Sequence, residues 1–248
     1  MKRILLFVIS LLVFAGVYCQ NNLALPALRP REELVKHKHY TLAFVEGYEL
    51  ASWVAYQLTP VQLTSSVEIK KKFLEDPKVS TGSATKKDYK DASYLPGQLV
   101  PAEDMMFSEE AVMETFYYSN TVPMKQAFYN YTWKKTEKLI REWAKETDTL
   151  YIVAGPVLAD APFPTFGENK VSIPSRFYKV VLDLKAGKGF GFVIKSSLST
   201  GVLKPTAMSI DEVEKITGID FFSSLPDEEE DKIESEFNLS DWKFDILD

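Results

Sequence analysis

The sequence predicts an α+β fold. Strand-like and helix-like segments are mixed along the chain without the strand–helix–strand alternation of a doubly wound sheet. One long amphipathic stretch supplies a clear helix, and several period-two or continuously apolar stretches supply strands. The 248 residues carry a hydrophobic share of 46% and a charged share of 26%, the balance of a globular chain rather than a disordered one. Length alone allows one large domain or two small ones.

The first residues read as a leader and not as part of the fold. Lys2 and Arg3 make a basic start, Ile4 to Val17 is almost wholly apolar, and Val17 and Cys19 supply the small residues of a cleavage site. This is the layout of a secretory signal peptide over residues 1–19, with an apolar run short for a membrane span. Tyr18 directly before Cys19 disfavours lipid attachment at that cysteine. The expected mature chain, residues 20–248, is secreted or periplasmic and lacks cysteine, which excludes thiolate chemistry. Loss of Lys2 and Arg3 takes the net charge from −6 to −8, a poor general attractant for phosphate backbones unless a local basic cleft exists.

Leu23 to Arg31, with Pro26 and Pro30, reads as an extended lead-in. His39 to Phe44 and Ser52 to Leu58 read as strands about a turn at Glu46-Gly47. In the second, Val54, Tyr56 and Leu58 alternate with Ala55 and Gln57 as in a half-buried strand. Asp76 to Tyr94 reads as a long ordered loop. Ser108 to Thr115 is a helix, with Ser108 as its cap and Glu109 and Glu110 in its first turn. Phe116 to Asn120 reads as a short strand. Tyr131 to Lys145 is the clearest helix, since Trp133, Leu139, Ile140, Trp143 and Ala144 recur at helical spacing. Leu150 to Val157, Phe177 to Leu184 and Phe190 to Ile194 are strands, and Asp211 begins a further helix. The acidic run Asp227 to Glu236 reads as a solvated helix face. With no linker and no repeat, residues 20–248 are expected to form one domain.

Tyr94-Leu-Pro-Gly-Gln-Leu-Val-Pro-Ala102 is where a family resemblance enters. The stretch resembles the Asp-Arg-Gly-His motif and following Pro-Ala of the DNA/RNA non-specific endonucleases, the ββα-metal group that includes mitochondrial endonuclease G. His37 to Tyr56, Asp76-Pro77, Thr81 to Ala84 and Asp88-Tyr89 match upstream. Phe116 to Asn120, Pro123, Trp133 with Glu137, Gly155-Pro156, Val171 to Lys179 and Thr217 to Phe222 match downstream. The resemblance covers most of the mature chain in the right order and implies a ββα-metal nuclease-type fold, with antiparallel sheets flanked by helices. Gly97, Pro101, Asn120, Pro123 and Trp133 keep the family motif.

The family's chemistry, by contrast, does not carry over. The resemblance implies a histidine general base, one magnesium (or manganese) ion held by a helix asparagine, arginines on the phosphate, and a glutamate beside the hydrated metal. Here the base position is Gln98, whose carboxamide does not titrate near neutrality. The motif's Asp-Arg pair is Leu95-Pro96, and the arginine expected four residues before Phe73 is Ile69. The glutamine after Pro123 is Met124. The metal-ligand position, four residues before Trp133, is Tyr129. Asn130 lies next door but about 100° out of register on a helix. Glu137 alone is retained.

Other features have plainer explanations. His37 and His39, the two histidines, fall in or beside the first predicted strand and read as structural. Lys70, Lys71 and Lys72 read as a solvated face, though a slip of one residue would let them replace the lost arginine. Gly187, Gly189 and Gly191 read as a hairpin turn and not a phosphate cradle. Asn130 and Asn238 begin glycosylation sequons. Asp211, Glu212 and Glu214 form the acidic first turn of a helix, which needs no metal to explain it.

The expectation is therefore a catalytically inactive family member, with no cofactor and an apolar cleft suited to a protein or small amphipathic ligand. Nucleic acid is a partner by family analogy alone. The competing reading is an active endonuclease with a rebuilt site and a magnesium or manganese ion; oligomeric state, including a homodimer, is left open.

Overall fold

The computed structural model describes residues 25–90 and 92–247, so the expected leader, its cleavage site and Cys19 lie outside the described residues. Eleven strands and six α-helical segments appear in chain order. The first three strands are β1 (Glu33–Lys36), β2 (Thr41–Val45) and β3 (Leu50–Leu58); α1 (Lys86–Tyr89) follows, capped by Thr85. Next come β4 (Leu95–Gln98), α2 (Glu109–Glu114) with Ser108 as its cap, and β5 (Thr121–Met124). The segments α3 (Gln126–Phe128) and α4 (Lys134–Glu146) are joined by a π turn at Tyr129–Trp133. The strands β6 (Leu150–Pro156), β7 (Thr165–Phe166), β8 (Val171–Ser172), β9 (Arg176–Asp183), β10 (Lys188–Lys195) and β11 (Ala207–Met208) precede α5 (Ile210–Thr217) and α6 (Asp227–Ser235).

Seven strands form one antiparallel sheet in the order β1-β2-β3-β6-β9-β10-β11. Its two faces are both covered, which explains why its central strands read as nearly continuous apolar runs. Leu42, Val54, Tyr56, Ile152, Phe177 and Phe192 face a large core closed by Trp133, Leu139, Ile140 and Trp143 of the long helix. Ala43, Trp53, Val153, Tyr178 and Val180 face a second core closed by Ile210, Val213, Phe221, Phe222 and Ile233. Accordingly β3 is not half-buried as its alternation suggests: Ala55 is buried against the second core while Val54 and Tyr56 serve the first.

Three further expectations need correction. Phe116 to Asn120 is not a strand. Tyr118–Asn120 forms a 3₁₀ turn, because Asn120 turns its amide inward, and pairing begins one residue later at Thr121. The long helix starts at Gln126, five residues ahead of its amphipathic signal. The acidic run is helical, but Glu234 within it is buried, because α6 packs on α5. The hairpin reading of Gly187 agrees with its φ of 61°, in the turn joining β9 to β10.

Candidate active site

Strands β4 and β5 pair separately from the main sheet, Leu95 opposite Met124, Pro96 opposite Pro123, Gly97 opposite Val122 and Gln98 opposite Thr121. The structure thus brings the motif positions of two distant segments side by side and sets the long helix against them. Trp133 seals this contact: its indole Nε1 donates to the Gln98 carbonyl at 2.9 Å. A Cβ on Gly97 would lie 2.4 Å from Met124 Sδ, so the thioether occupies the space beside the motif glycine.

The Gln98 side chain points into protein and not into a cleft. It is 5% exposed, and its Nε2 donates to the Thr115 carbonyl at 2.8 Å and to Thr115 Oγ1 at 3.0 Å. Its Oε1 accepts from the Ala102 amide at 3.4 Å. Both amide hydrogens are therefore committed internally. Asn120 behaves likewise: Oδ1 accepts from Val100 N, and Nδ2 donates to the carbonyls of Val100 and Thr115. These two amides hold the turn after β4 and the end of α2 together. Pro101, at the start of that turn, is buried.

The other family positions carry apolar or aromatic side chains. Met124 is fully buried, while Leu95, Pro96, Tyr129 and Ile69 are half-buried, Leu95, Ile69 and Tyr129 packing against the main core. Burial pushes the Tyr129 phenol up, and the nearby charges of Glu137 and Glu103 push it the same way. Lys134 Nζ lies 5.1 Å from the centre of the Tyr129 ring. Asn130 is exposed, so the π turn presents Tyr129 and not Asn130 toward the protein.

Near Tyr129 lies a charge cluster of which sequence reasoning singled out Glu137 alone. Glu137 is 2% exposed, and its Oε1 has no hydrogen-bond partner. Lys179, fully buried, donates to the Leu99 carbonyl at 3.1 Å and sits 4.5 Å from the Trp133 ring centre. Asp104 accepts from Arg141 Nη1 at 2.6 Å and from the Tyr56 hydroxyl at 2.8 Å. Burial raises the Glu137 carboxyl, against the opposing pull of Lys179, and lowers the Lys179 amine against Glu137 and Asp104. A lysine between Tyr178 and Val180 in an otherwise apolar strand is the sequence signal that marks this cluster.

The donor set does not fit the divalent ion that the family resemblance implies. Tyr129 is held protonated, and a neutral phenol is a poor magnesium ligand. Glu137 already faces a buried ammonium, and Asn130 points to solvent. No reaction step through such an ion is derived.

Neither histidine reaches this region through its contacts. His37 Nε2 pairs with Asp76 at 2.9 Å, and its ring lies between those of Tyr40 and Tyr117. Ser119 Oγ donates to the same Asp76 oxygen, giving a trio of catalytic residue types. The trio is sealed in the interior and reads as structural. His39 packs edge-on against Phe107. Lys70 and Lys72 are exposed at the rim of a separate hollow of about 360 Å³ lined by Leu74, Val112 and Phe116.

With this geometry in place, the comparisons with known proteins are informative. A family model described as DNA/RNA non-specific endonuclease matches residues 26–228. The chain is similar to a mitochondrial nuclease, EXOG, of Xenopus laevis, 28% identical over 211 residues, covering 78% of this chain and 59% of that protein. It is likewise similar to a nuclease of Nostoc sp., 28% identical over 222 residues, covering 84% of this chain and 80% of that one. The chain thus spans about three fifths of the length of the mitochondrial relatives. A crystal structure of the EndoG/EndoGI complex shares the fold with a TM-score of 0.75 at 21% identity, covering 84% of this chain and 91% of that one.

Proposed function

Since this chain belongs to the DNA/RNA non-specific endonuclease family, we propose that it is a member that keeps the fold as a binding module and has lost phosphodiester hydrolysis. The observation that carries this reading is the internal commitment of the Gln98 amide. A group that neither titrates nor faces the cleft cannot deprotonate water. General-base catalysis alone contributes about 10²–10⁴ in rate. The missing metal asparagine, replaced by a protonated phenol, removes a second source of rate. The Lys179–Glu137–Asp104 cluster does not substitute for them, because it is sealed from a polymeric substrate.

The apolar and aromatic replacements at the family positions, Leu95, Pro96, Met124, Tyr129 and Ile69, favour a protein or a small amphipathic ligand over a polyphosphate backbone. The leader-like sequence of residues 1–19 supports export of the protein from the cytoplasm, and N-terminal sequencing of the exported protein tests that reading.

The deciding experiment incubates the purified chain from Gln20 to Asp248 with plasmid DNA and with RNA, in magnesium and in manganese. No cleavage is expected. A variant carrying Ile69→Arg, Leu95→Asp, Pro96→Arg, Gln98→His and Tyr129→Asn should regain activity if the register is right. Metal-dependent degradation by the unaltered chain overturns the proposal in favour of a rebuilt active site. Titration of labelled nucleic acid at low salt tests the ligand class; tight, salt-sensitive binding contradicts it.

A further inference from the structure

On the opposite face of the main sheet, α5 and α6 bring three carboxylates together. Oxygen atoms of Asp211, Glu214 and Glu234 lie within 4.8 Å of one another. Asp211 and Glu214 are three residues apart on one helix, so they share a face. Glu234 reaches them from the last turn of the neighbouring helix. The sequence neighbour Glu212 takes no part, because its carboxylate closes a capping box on Ser209 N at 3.0 Å.

Several observations separate this trio from an ordinary acidic surface. Glu234 is 5% exposed, and its Oε1 has no hydrogen-bond partner, so a buried lone pair is left unspent within the cluster. The charges acting most strongly on Glu234 are all carboxylates: Glu214, Glu230, Asp220 and Asp211. Glu214 has one oxygen engaged, Oε1 accepting from Phe221 N at 2.8 Å, which fixes the side chain without neutralising it. Lys215 stands 4.0 Å from Asp211, and its side chain is 76% exposed, so it cannot compensate a buried carboxylate. The negative end of the α6 dipole adds to the same potential. An orphaned buried carboxylate among its own kind is destabilising unless a proton or a cation joins it.

We propose that Asp211, Glu214 and Glu234 form a binding site for a hard divalent cation, calcium in preference to magnesium, which ties α6 to α5. The ligand set contains only oxygen, which suits calcium and magnesium and offers nothing soft for zinc or copper. Calcium accepts irregular shells of six to eight oxygens at about 2.3–2.6 Å, which suits carboxylates brought together from two helices, whereas magnesium demands a near-ideal octahedron at about 2.0–2.1 Å. The half-exposed sides of Asp211 and Glu214 leave room for the water that completes a calcium shell. The site is remote in the fold from β4, β5 and α4, and its role is structural, so it stands or falls separately from the loss of nuclease chemistry.

The test uses the mature chain from Gln20 to Asp248, stripped with chelator and then followed by calorimetric titration and thermal unfolding. Calcium chloride should bind with one-to-one stoichiometry. At about a hundred times its Kd it should raise Tm by roughly 5–10 °C. Glu234→Gln should abolish the binding heat and the Tm shift, and the calcium-free variant should unfold above the calcium-free parent, because a buried repulsion is gone. Asp211→Asn, at a half-exposed position, should also abolish the calcium response and serves where Glu234→Gln does not fold. The proposal is overturned by the absence of heat and shift up to about 10 mM calcium, a range covering weak extracellular-type sites. A response unchanged in both variants overturns it equally. A magnesium shift equal to calcium's overturns the calcium preference.

Discussion

Gln98 and Asn120 beside β4 and Glu234 between α5 and α6 are buried to similar degrees, but their bonding differs in kind. Around Gln98, two amides and a threonine exchange hydrogen bonds until both amide groups are fully used. Between α5 and α6, a carboxylate buried as deeply has an oxygen with no partner and faces only like charges. Burial penalises both, yet only the second leaves capacity for a ligand. A polar residue in a family's catalytic position can thus be architecture, while an acidic run with no motif can form a site. The number of unspent lone pairs separates the two cases, and family position does not.

The comparison breaks most visibly at Asn120. Asn120→Ala removes three hydrogen bonds and strands the amide and carbonyl of Val100. Urea unfolding should show a loss of roughly 3–4 kcal/mol; a loss below about 1 kcal/mol would mean that these amides are not what holds the turn. Gln98→His, made alone, should cost about 1–2 kcal/mol, because an imidazole cannot donate twice and accept once. It should yield no nuclease activity, and cleavage by this single variant would show the rest of the site intact.

Asp76 tests the same idea through pH. Burial alone would raise its carboxyl, but hydrogen bonds from His37 and Ser119 outweigh that and hold it below the ordinary aspartate value of 3.8. A depressed folded-state pKa adds stability that is fully present above the unfolded value and is lost as pH falls through the folded one. Asp76→Asn should therefore reduce stability at pH 7 by about 1–2 kcal/mol. The difference from the parent should shrink as pH falls below the ordinary aspartate value of 3.8 and through the depressed folded one, and a gap that persists undiminished into acid would exclude the charge as its source. The smallest effect is expected at Glu212→Ala, which loses half a capping box. It should cost about 0.5–1 kcal/mol and leave the calcium-induced Tm shift unchanged, distinguishing a cap from the proposed ligands Asp211 and Glu214 on either side of it in sequence.

Much of the fold was legible from periodicity. Trp133, Ile140 and Trp143 at helical spacing, and the apolar runs from Leu150 and Phe177, correspond to α4, β6 and β9. Short elements were less so. β1 and β5 are four residues each, and the π turn at Tyr129–Trp133 carries no periodic signature, so these boundaries shifted. At the family site, the identities at Gln98, Tyr129 and Met124 were visible, but the inward turn of the Gln98 side chain was not. Its partners, Thr115 and Ala102, lie in segments that meet it only after folding.

The residue identities alone determine which side-chain chemistry each family position can offer, because proton affinity and ligand type belong to the side chain wherever it sits. Partnership belongs to the tertiary structure. Lys179 reads as one more charge until the sheet buries it over Trp133, and Glu234 reads as solvated until α6 closes on α5. Hydrogen bonding, desolvation and Coulomb interaction act over a few ångströms, and only folding decides which distant residues come that close.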